Sequence, residues 1–156
     1  MAKLEKGDKA PVFNLTDQDG KKVKLSDFKG KKLLLYFYPK ANTGGCTKQA
    51  ISVRDAKGDL DQLGVAAVGI SPDLPDAQKK FDAKQGLGFP LLSDPDHKVA
   101  DAYGTWGEKS MYGKKYEGII RSSFLIGKDG KIMDAWYKVS PKDTVPKALK
   151  ALEAAS

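Results

Sequence analysis

Apolar positions follow two rhythms along this chain. Val12–Leu15 and Val23–Leu25 are short strand-like stretches on either side of the turn signal DQDG, which predicts a small hairpin. Lys32–Tyr38 is apolar almost throughout, the pattern of a strand buried on both faces. From Cys46 to Leu63 the pattern turns helical, with Gly58 a point at which the helix would break in two. Gly64 is placed as its C-terminal cap, and Val65–Ile70 returns to strand. Pro75 opens a helix that Gly86 closes, and Pro95 opens a shorter one closed by Gly104, with Asp94 placed to cap it. Thr105–Gly118 is polar and glycine-bearing and reads as loop. Ile119–Ile126, the turn GKDG and Lys131–Val139 predict a second hairpin. A helix from about Thr144 to Ala154 ends the chain, with Val145, Leu149 and Leu152 as its core-facing stripe.

Strands alternating with helices, then a hairpin and a last helix, describe an α/β fold. The order is thioredoxin-like, with a mixed central sheet, flanking helices and an added N-terminal β-hairpin. No repeat or long linker divides the 156 residues, so a single domain over 1–156 is expected. The N-terminus MAKLEKGDKAP lacks a signal-like apolar core, and no run approaches the roughly 18 apolar residues of a membrane span. With one cysteine there is no intramolecular disulfide to imply an oxidising compartment, so a cytoplasmic location is expected. The net charge of +7 raises the question of nucleic acid. Of 27 basic residues only Arg54 and Arg121 are arginines, and the lysines are scattered along the whole chain. That favours a solvated basic surface able to steer anions over a nucleic-acid reader, whose phosphate and base contacts favour the planar guanidinium. Neither nucleic acid nor membrane is expected as a partner.

The candidate chemistry centres on Cys46. A lone cysteine is ordinarily a small buried hydrophobe, but Pro39 and the pair Gly44-Gly45 shape a strand-to-helix loop that puts this one in a first helical turn. Free N–H groups and the helix dipole stabilise a thiolate there. Thiolate character alone achieves little. A thiol whose pKa falls from about 8.5 to about 6 gains some thirtyfold in thiolate fraction at neutral pH. It returns about tenfold through lower nucleophilicity at a Brønsted slope of roughly 0.4–0.5. Fast chemistry therefore requires positioning and charge stabilisation. In Pro39-x-x-x-Thr43-x-x-Cys46 a hydroxyl precedes the thiol by three residues, suited to two bonded oxygens in line with sulfur, as in a peroxide. Arg121, in IIRSSFLI, is a cation able to reach the helix start from a neighbouring strand. Each also has an ordinary reading: Thr43 as a turn or cap residue, Pro39 as a strand terminator, Arg121 as a carboxylate partner. Trp106, Tyr112 and Tyr116, with Trp136 and Tyr137, either rim the cysteine pocket or pack. His97, the only histidine, reads as a surface or capping residue. One cysteine and one histidine cannot furnish a structural zinc site, and no nucleotide-binding glycine motif is present, so neither metal nor cofactor is expected.

YFYPKANTGGCTKQA resembles the active-site signature of peroxiredoxins of the bacterioferritin comigratory protein (PrxQ) type. The resemblance runs on through FPLLSD and MYGKKYEGIIRSSFLI and covers about Leu4 to Leu152. It implies a thioredoxin fold and a thiol-dependent peroxidase that reduces hydrogen peroxide and organic hydroperoxides without a cofactor. By position it makes Cys46 the peroxidatic thiolate and Thr43 the hydroxyl that orients the peroxide. It makes Pro39 the residue that closes the pocket and Arg121 the arginine that holds the thiolate. Gln49 matches a Glu/Gln position on the same helix and, with Gly45 and Trp106, is assigned to the substrate pocket. Many relatives carry a resolving cysteine where this chain has Ile51, and others where it has Asp82. Ala41-Asn42 and Gly44 depart from the commoner acidic pair and proline or serine. The sulfenic acid formed on Cys46 must then meet an outside thiol, supplied by thioredoxin, by glutaredoxin with glutathione, or by a second chain through a transient intermolecular disulfide, on a monomer or weak dimer. The competing reading is a non-catalytic thioredoxin-fold redox sensor or binding module.

Overall fold

A computed structural model describes residues 3–155. Strands β1 (Asn14–Thr16) and β2 (Lys22–Lys24) form the expected N-terminal hairpin, and β3 (Lys32–Phe37) leads through a loop into helix α1 (Gly44–Gln62). Next come β4 (Val65–Ser71), α2 (Pro75–Gln85), β5 (Leu91–Ser93) and α3 (Lys98–Ala102). Strands β6 (Trp106–Met111), β7 (Lys114–Ile119), β8 (Ser122–Ile126) and β9 (Ile132–Trp136) precede helix α4 (Thr144–Ala155). Seven strands make one mixed sheet in the order β2-β1-β5-β4-β3-β8-β9, and β6 and β7 pair with each other outside it.

β3 is central in the sheet and buried on both faces, as its unbroken apolar run requires. Leu34, Tyr36 and Tyr38 point to one core with Ala50, Val53 and Leu60 of α1, Phe81 of α2, and Val145, Ala148 and Leu152 of α4. Leu33, Leu35 and Phe37 point to the other, with Ala100 of α3, Tyr103 and Phe124. The alternation follows from the two-residue period of a strand. It makes β3 the axis on which both layers of the protein are built.

The structure corrects the sequence reading in several places. Gly58 does not break α1, which runs unbroken to Gln62. Gly58 is exposed, and the buried Ala56 and Leu60 on either side hold the helix to the sheet, outweighing a helix cost of about 1 kcal/mol for glycine. The expected loop Thr105–Gly118 is a regular hairpin with Trp106 opposite Ile119 and Met111 opposite Lys114. Its two-residue turn is Tyr112-Gly113, both at positive φ (52° and 79°). Such turns are normally announced by Asn-Gly or Asp-Gly, so this one was hidden. The short helix begins at Lys98 rather than Pro95, because the Asp94 carboxylate accepts from the N–H groups of Val99 (3.2 Å) and Ala100 (2.9 Å). Leu91–Ser93 of FPLLSD is a short strand, not anticipated. The apolar run Ile119–Ile126 is split at Ile120-Arg121 between β7 and β8.

One close approach in the sheet offers a stability test. Gly69 of β4 lies beside Tyr36 of β3, and a Cβ there would stand 2.9 Å from Tyr36 Cζ and 3.0 Å from both Tyr36 Oη and Tyr38 Cε1. Both rings are fully buried and cannot retreat. Gly69→Ala is expected to destabilise the fold by about 1–3 kcal/mol, as overpacking does. A urea midpoint equal to the parent's would contradict this.

Candidate active site

Antiparallel pairing of β3 with β8 sets Phe37 opposite Ser122, so Arg121 lies beside the end of β3 from which the loop to α1 departs. That loop is fixed at several points. The Tyr38 N–H donates to the Ile70 carbonyl (3.0 Å), and the Ala41 N–H donates to Asp73 Oδ2 (2.7 Å), which also accepts from Ser71 Oγ (2.7 Å). Asn42 takes the left-handed conformation (φ 62°), which Asn tolerates better than most residues. The chain thus turns sharply enough to start α1 at Gly44, with Cys46 as its third residue.

Cys46 is 1% exposed, and Sγ accepts a hydrogen bond from Arg121 Nη2 at 3.4 Å. The other guanidinium nitrogen, Nη1, donates to Gln49 Oε1 at 2.7 Å. Gln49 is fully buried one turn along the same helix, and its Nε2 donates to Thr144 Oγ1 (2.9 Å). The Thr144 hydroxyl donates in turn to the Ser140 carbonyl (3.2 Å). This chain fixes the amide. With its proton committed to Ser140, Thr144 can only accept, so the Gln49 NH₂ must face it and the Gln49 oxygen must face Arg121. A cation is thereby oriented onto sulfur by a buried, fully partnered line of polar groups.

Thr43 occupies the N-cap position in extended backbone (φ −92°, ψ 158°), and its carbonyl accepts from the Thr47 N–H at 2.8 Å. Its side chain makes no capping bond; the hydroxyl donates to the Lys40 carbonyl at 2.7 Å, leaving its lone pairs free to accept. Among the described residues the N–H groups of Gly44, Gly45 and Cys46 have no hydrogen-bond partner, so the first turn presents open donors around the sulfur. Gly45 lies directly under Arg121: a Cβ there would stand 3.0 Å from Nη2 and 3.5 Å from Pro141 Cγ. Pro39 is half-buried at the start of the loop. Among the described residues, the buried hydroxyl of Tyr36, beneath α1, has no hydrogen-bond partner. Burial first, then Tyr38 and Cys46, push its phenol well above the usual range, while Arg121 pulls the other way.

The structure therefore brings Cys46, Gln49, Arg121 and Gly45 together, with Thr43 and Pro39 on the loop beside them. Trp106 has two partners of its own. Its ring stacks on His97 at 3.8 Å, and its Nε1 donates to Glu117 Oε2 (3.1 Å). His97 stands at the start of α3, with Nδ1 2.9 Å from Asp101 Oδ2. Tyr137 donates to the Tyr103 carbonyl (2.6 Å), and Tyr112 is almost fully exposed. Ile51 is half-buried on α1. Asp82 closes α2, its carboxylate accepting from the Gly88 N–H (3.0 Å) and Gln18 Nε2 (3.2 Å). Thr144 and Asp73 are parts of the site that sequence reasoning missed. Each acts through a long-range hydrogen bond that leaves no local signal.

The sequence pattern of the AhpC/TSA family matches residues 6–135. The chain is 54% identical over 132 residues to "Peroxiredoxin Bcp" of Escherichia coli K12, covering 85% of each protein. Its structure is similar to that of a PrxQ mutant from Xylella fastidiosa, with a TM-score of 0.92, 32% identity and 99% of both chains covered. It is also similar to the bacterioferritin comigratory protein of Xanthomonas campestris, solved in work on that protein's alkyl peroxide reduction activity. There the TM-score is 0.86 at 36% identity, over 92% of this chain and 91% of that one.

The contact between Gly45 and Arg121 separates stability from function. Alanine is the better helix former by about 1 kcal/mol, yet its methyl would push the guanidinium by a few tenths of an ångström. Gly45→Ala is expected to keep or raise the melting temperature while slowing the protein's reaction with peroxide by about tenfold, because the reacting geometry is sensitive at that scale. Stopped-flow rates beside a thermal melt check this; an unchanged rate would contradict it.

Proposed function

The chain belongs to the AhpC/TSA family and is a thiol-dependent peroxidase, and from that premise we propose that Cys46 is its peroxidatic residue. The observation that carries this reading is the two-handed Arg121, which grips Sγ and Gln49 at once. The Cys46 thiolate attacks the near oxygen of the peroxide; the S–O bond forms and the O–O bond breaks. The far oxygen leaves with the bond's electron pair, takes a proton and departs as water or an alcohol, and Cys46 becomes a sulfenic acid. Arg121 holds the thiolate and spreads the charge moving onto oxygen, aided by the open N–H groups of the first turn. The Thr43 hydroxyl, its own proton given to Lys40, accepts the peroxide O–H and orients the O–O bond. Pro39 and Gly45 shape the wall around it.

Hydrogen peroxide and organic hydroperoxides are the proposed substrates, the alkyl peroxide work on the Xanthomonas relative supporting the second class. The sulfenic acid is recycled by an external thiol, thioredoxin or glutaredoxin with glutathione, since the chain has one cysteine. No helix among the described residues is long and apolar enough to cross a membrane. The cytoplasm, a single domain and a monomer or weak dimer complete the proposal.

The test is to mix fully reduced protein with one equivalent of hydrogen peroxide, quench over milliseconds with a sulfenic-acid trap, and weigh the intact chain. Fast labelling at one site, removed by Cys46→Ser, is expected; labelling no faster than a free thiol would contradict peroxidase function. With no second thiol to intercept it, the sulfenic acid stays open to another peroxide. Millimolar hydrogen peroxide without reductant is expected to drive Cys46 to sulfinic acid and stop turnover. Sustained turnover without a rise in the dioxide mass of the chain would count against this.

A further inference from the structure

One peptide unit beside the site is held from both ends. The Ala41 N–H donates to Asp73 Oδ2 (2.7 Å). The carbonyl of Lys40, the other half of the same peptide, accepts the Thr43 hydroxyl proton (2.7 Å). A trans peptide is planar, so its N–H and C=O point in opposite directions and turn together. Whatever fixes the N–H therefore fixes the carbonyl. That carbonyl decides what Thr43 can do, because a hydroxyl whose proton is given away has only lone pairs left to offer. The Thr43 side chain makes no capping bond to α1, so its bond to Lys40 is what sets its direction.

Asp73 is itself placed by a line of buried side chains. Tyr38 donates to Gln78 Oε1, Gln78 Nε2 donates to Ser71 Oγ (2.8 Å), and Ser71 Oγ donates to Asp73 Oδ2 (2.7 Å). Gln78 Nε2 also donates to the Leu92 carbonyl (3.0 Å), so both of its protons are committed and only its oxygen can face Tyr38. Tyr38, Ser71 and Gln78 are fully buried. Burial pushes the Tyr38 phenol well above its usual range, so the line starts from a group that keeps its proton. Every proton in it points toward Asp73, whose Oδ2 ends the line and accepts from Ala41 as well. We propose that Asp73 is a positioning residue for the peroxide: through the Lys40–Ala41 peptide it holds the Thr43 hydroxyl ready to accept the peroxide O–H. This rests on the peroxidase reading above. The consequence is selective. Attack by sulfur on an electrophile without an O–H has no use for the Thr43 hydroxyl, so Asp73 tunes Cys46 toward peroxide and not toward electrophiles in general.

The experiment measures two reactions of the reduced protein, with hydrogen peroxide and with iodoacetamide, in the parent, Asp73→Ala, Asp73→Asn and Asp73→Glu. Asparagine keeps an oxygen at the same reach without the charge, whereas glutamate keeps the charge at the wrong reach. Asp73→Ala and Asp73→Glu are expected to react with peroxide about tenfold more slowly than the parent, and Asp73→Asn to stay within about threefold of it. Alkylation by iodoacetamide is expected to change by less than about twofold in all of them, since it needs no oriented O–H. If Asp73→Ala does not fold, the Asn and Glu variants decide. A peroxide rate in Asp73→Glu equal to the parent's, an Asp73→Asn as slow as Asp73→Glu, or an equal fall in both reactions would overturn the proposal while leaving the peroxidase intact. A parent no faster with peroxide than a free thiol would overturn both.

Discussion

The site depends on a single guanidinium held from two sides. Arg121 reaches Cys46 with one nitrogen and Gln49 with the other, and both partners lie on α1, one turn apart. The Gln49 oxygen is the acceptor that fixes the plane of the guanidinium, and Thr144 fixes the Gln49 amide. The reactivity proposed for Cys46 is therefore positional. A thiolate at a helix start would gain only a few-fold over a free thiol once lower nucleophilicity is counted, whereas a prearranged cation and open N–H donors act on charge as it moves onto oxygen. The buried line from Arg121 to the Ser140 carbonyl has no flexible member at its middle, because Gln49 is fully enclosed.

The sheet makes that arrangement possible. Residues 46, 49, 121 and 144 are distant in sequence and meet because β8 runs antiparallel to β3 while α1 returns over the same strand end. β3 carries both cores, so the loop that leaves it is anchored on a rigid base, and the Asp73 carboxylate and left-handed Asn42 set its path. The 3₁₀ turn Pro141–Asp143 ahead of α4 completes the enclosure, with Pro141 packed near Gly45. The parts proposed as catalytic thus sit on element ends while their supports sit inside the core.

Much of this was legible in the sequence because local signals agreed with the fold. The apolar run of β3, the hairpin turns DQDG and GKDG, Gly86 after α2 and Gly64 after α1 each act through their own backbone geometry. The Pro39-to-Cys46 spacing likewise lies within one loop. What was hidden either lacked a local signal or carried a misleading one. Tyr112-Gly113 makes a hairpin turn from a residue that rarely takes positive φ, so β6 and β7 read as loop. Asp94 displaced the start of α3 by reaching past the proline expected to open it. Thr144 and Asp73 belong near the site through hydrogen bonds to residues distant in sequence, and no spacing rule encodes those. The stacking of Trp106 on His97 likewise joins residues that no spacing rule pairs.

The central claim is that Arg121, poised by Gln49, supplies the charge stabilisation that makes Cys46 fast. The most direct measurement is the second-order rate constant for oxidation of reduced protein by hydrogen peroxide in Arg121→Gln beside the parent, at a pH where thiolate content is followed independently by its ultraviolet absorbance. The account predicts a loss of about 10²–10³-fold beyond any change in thiolate fraction, as for removal of one charge-stabilising donor. A rate per thiolate within about twofold of the parent, a difference worth less than 0.5 kcal/mol, would contradict it.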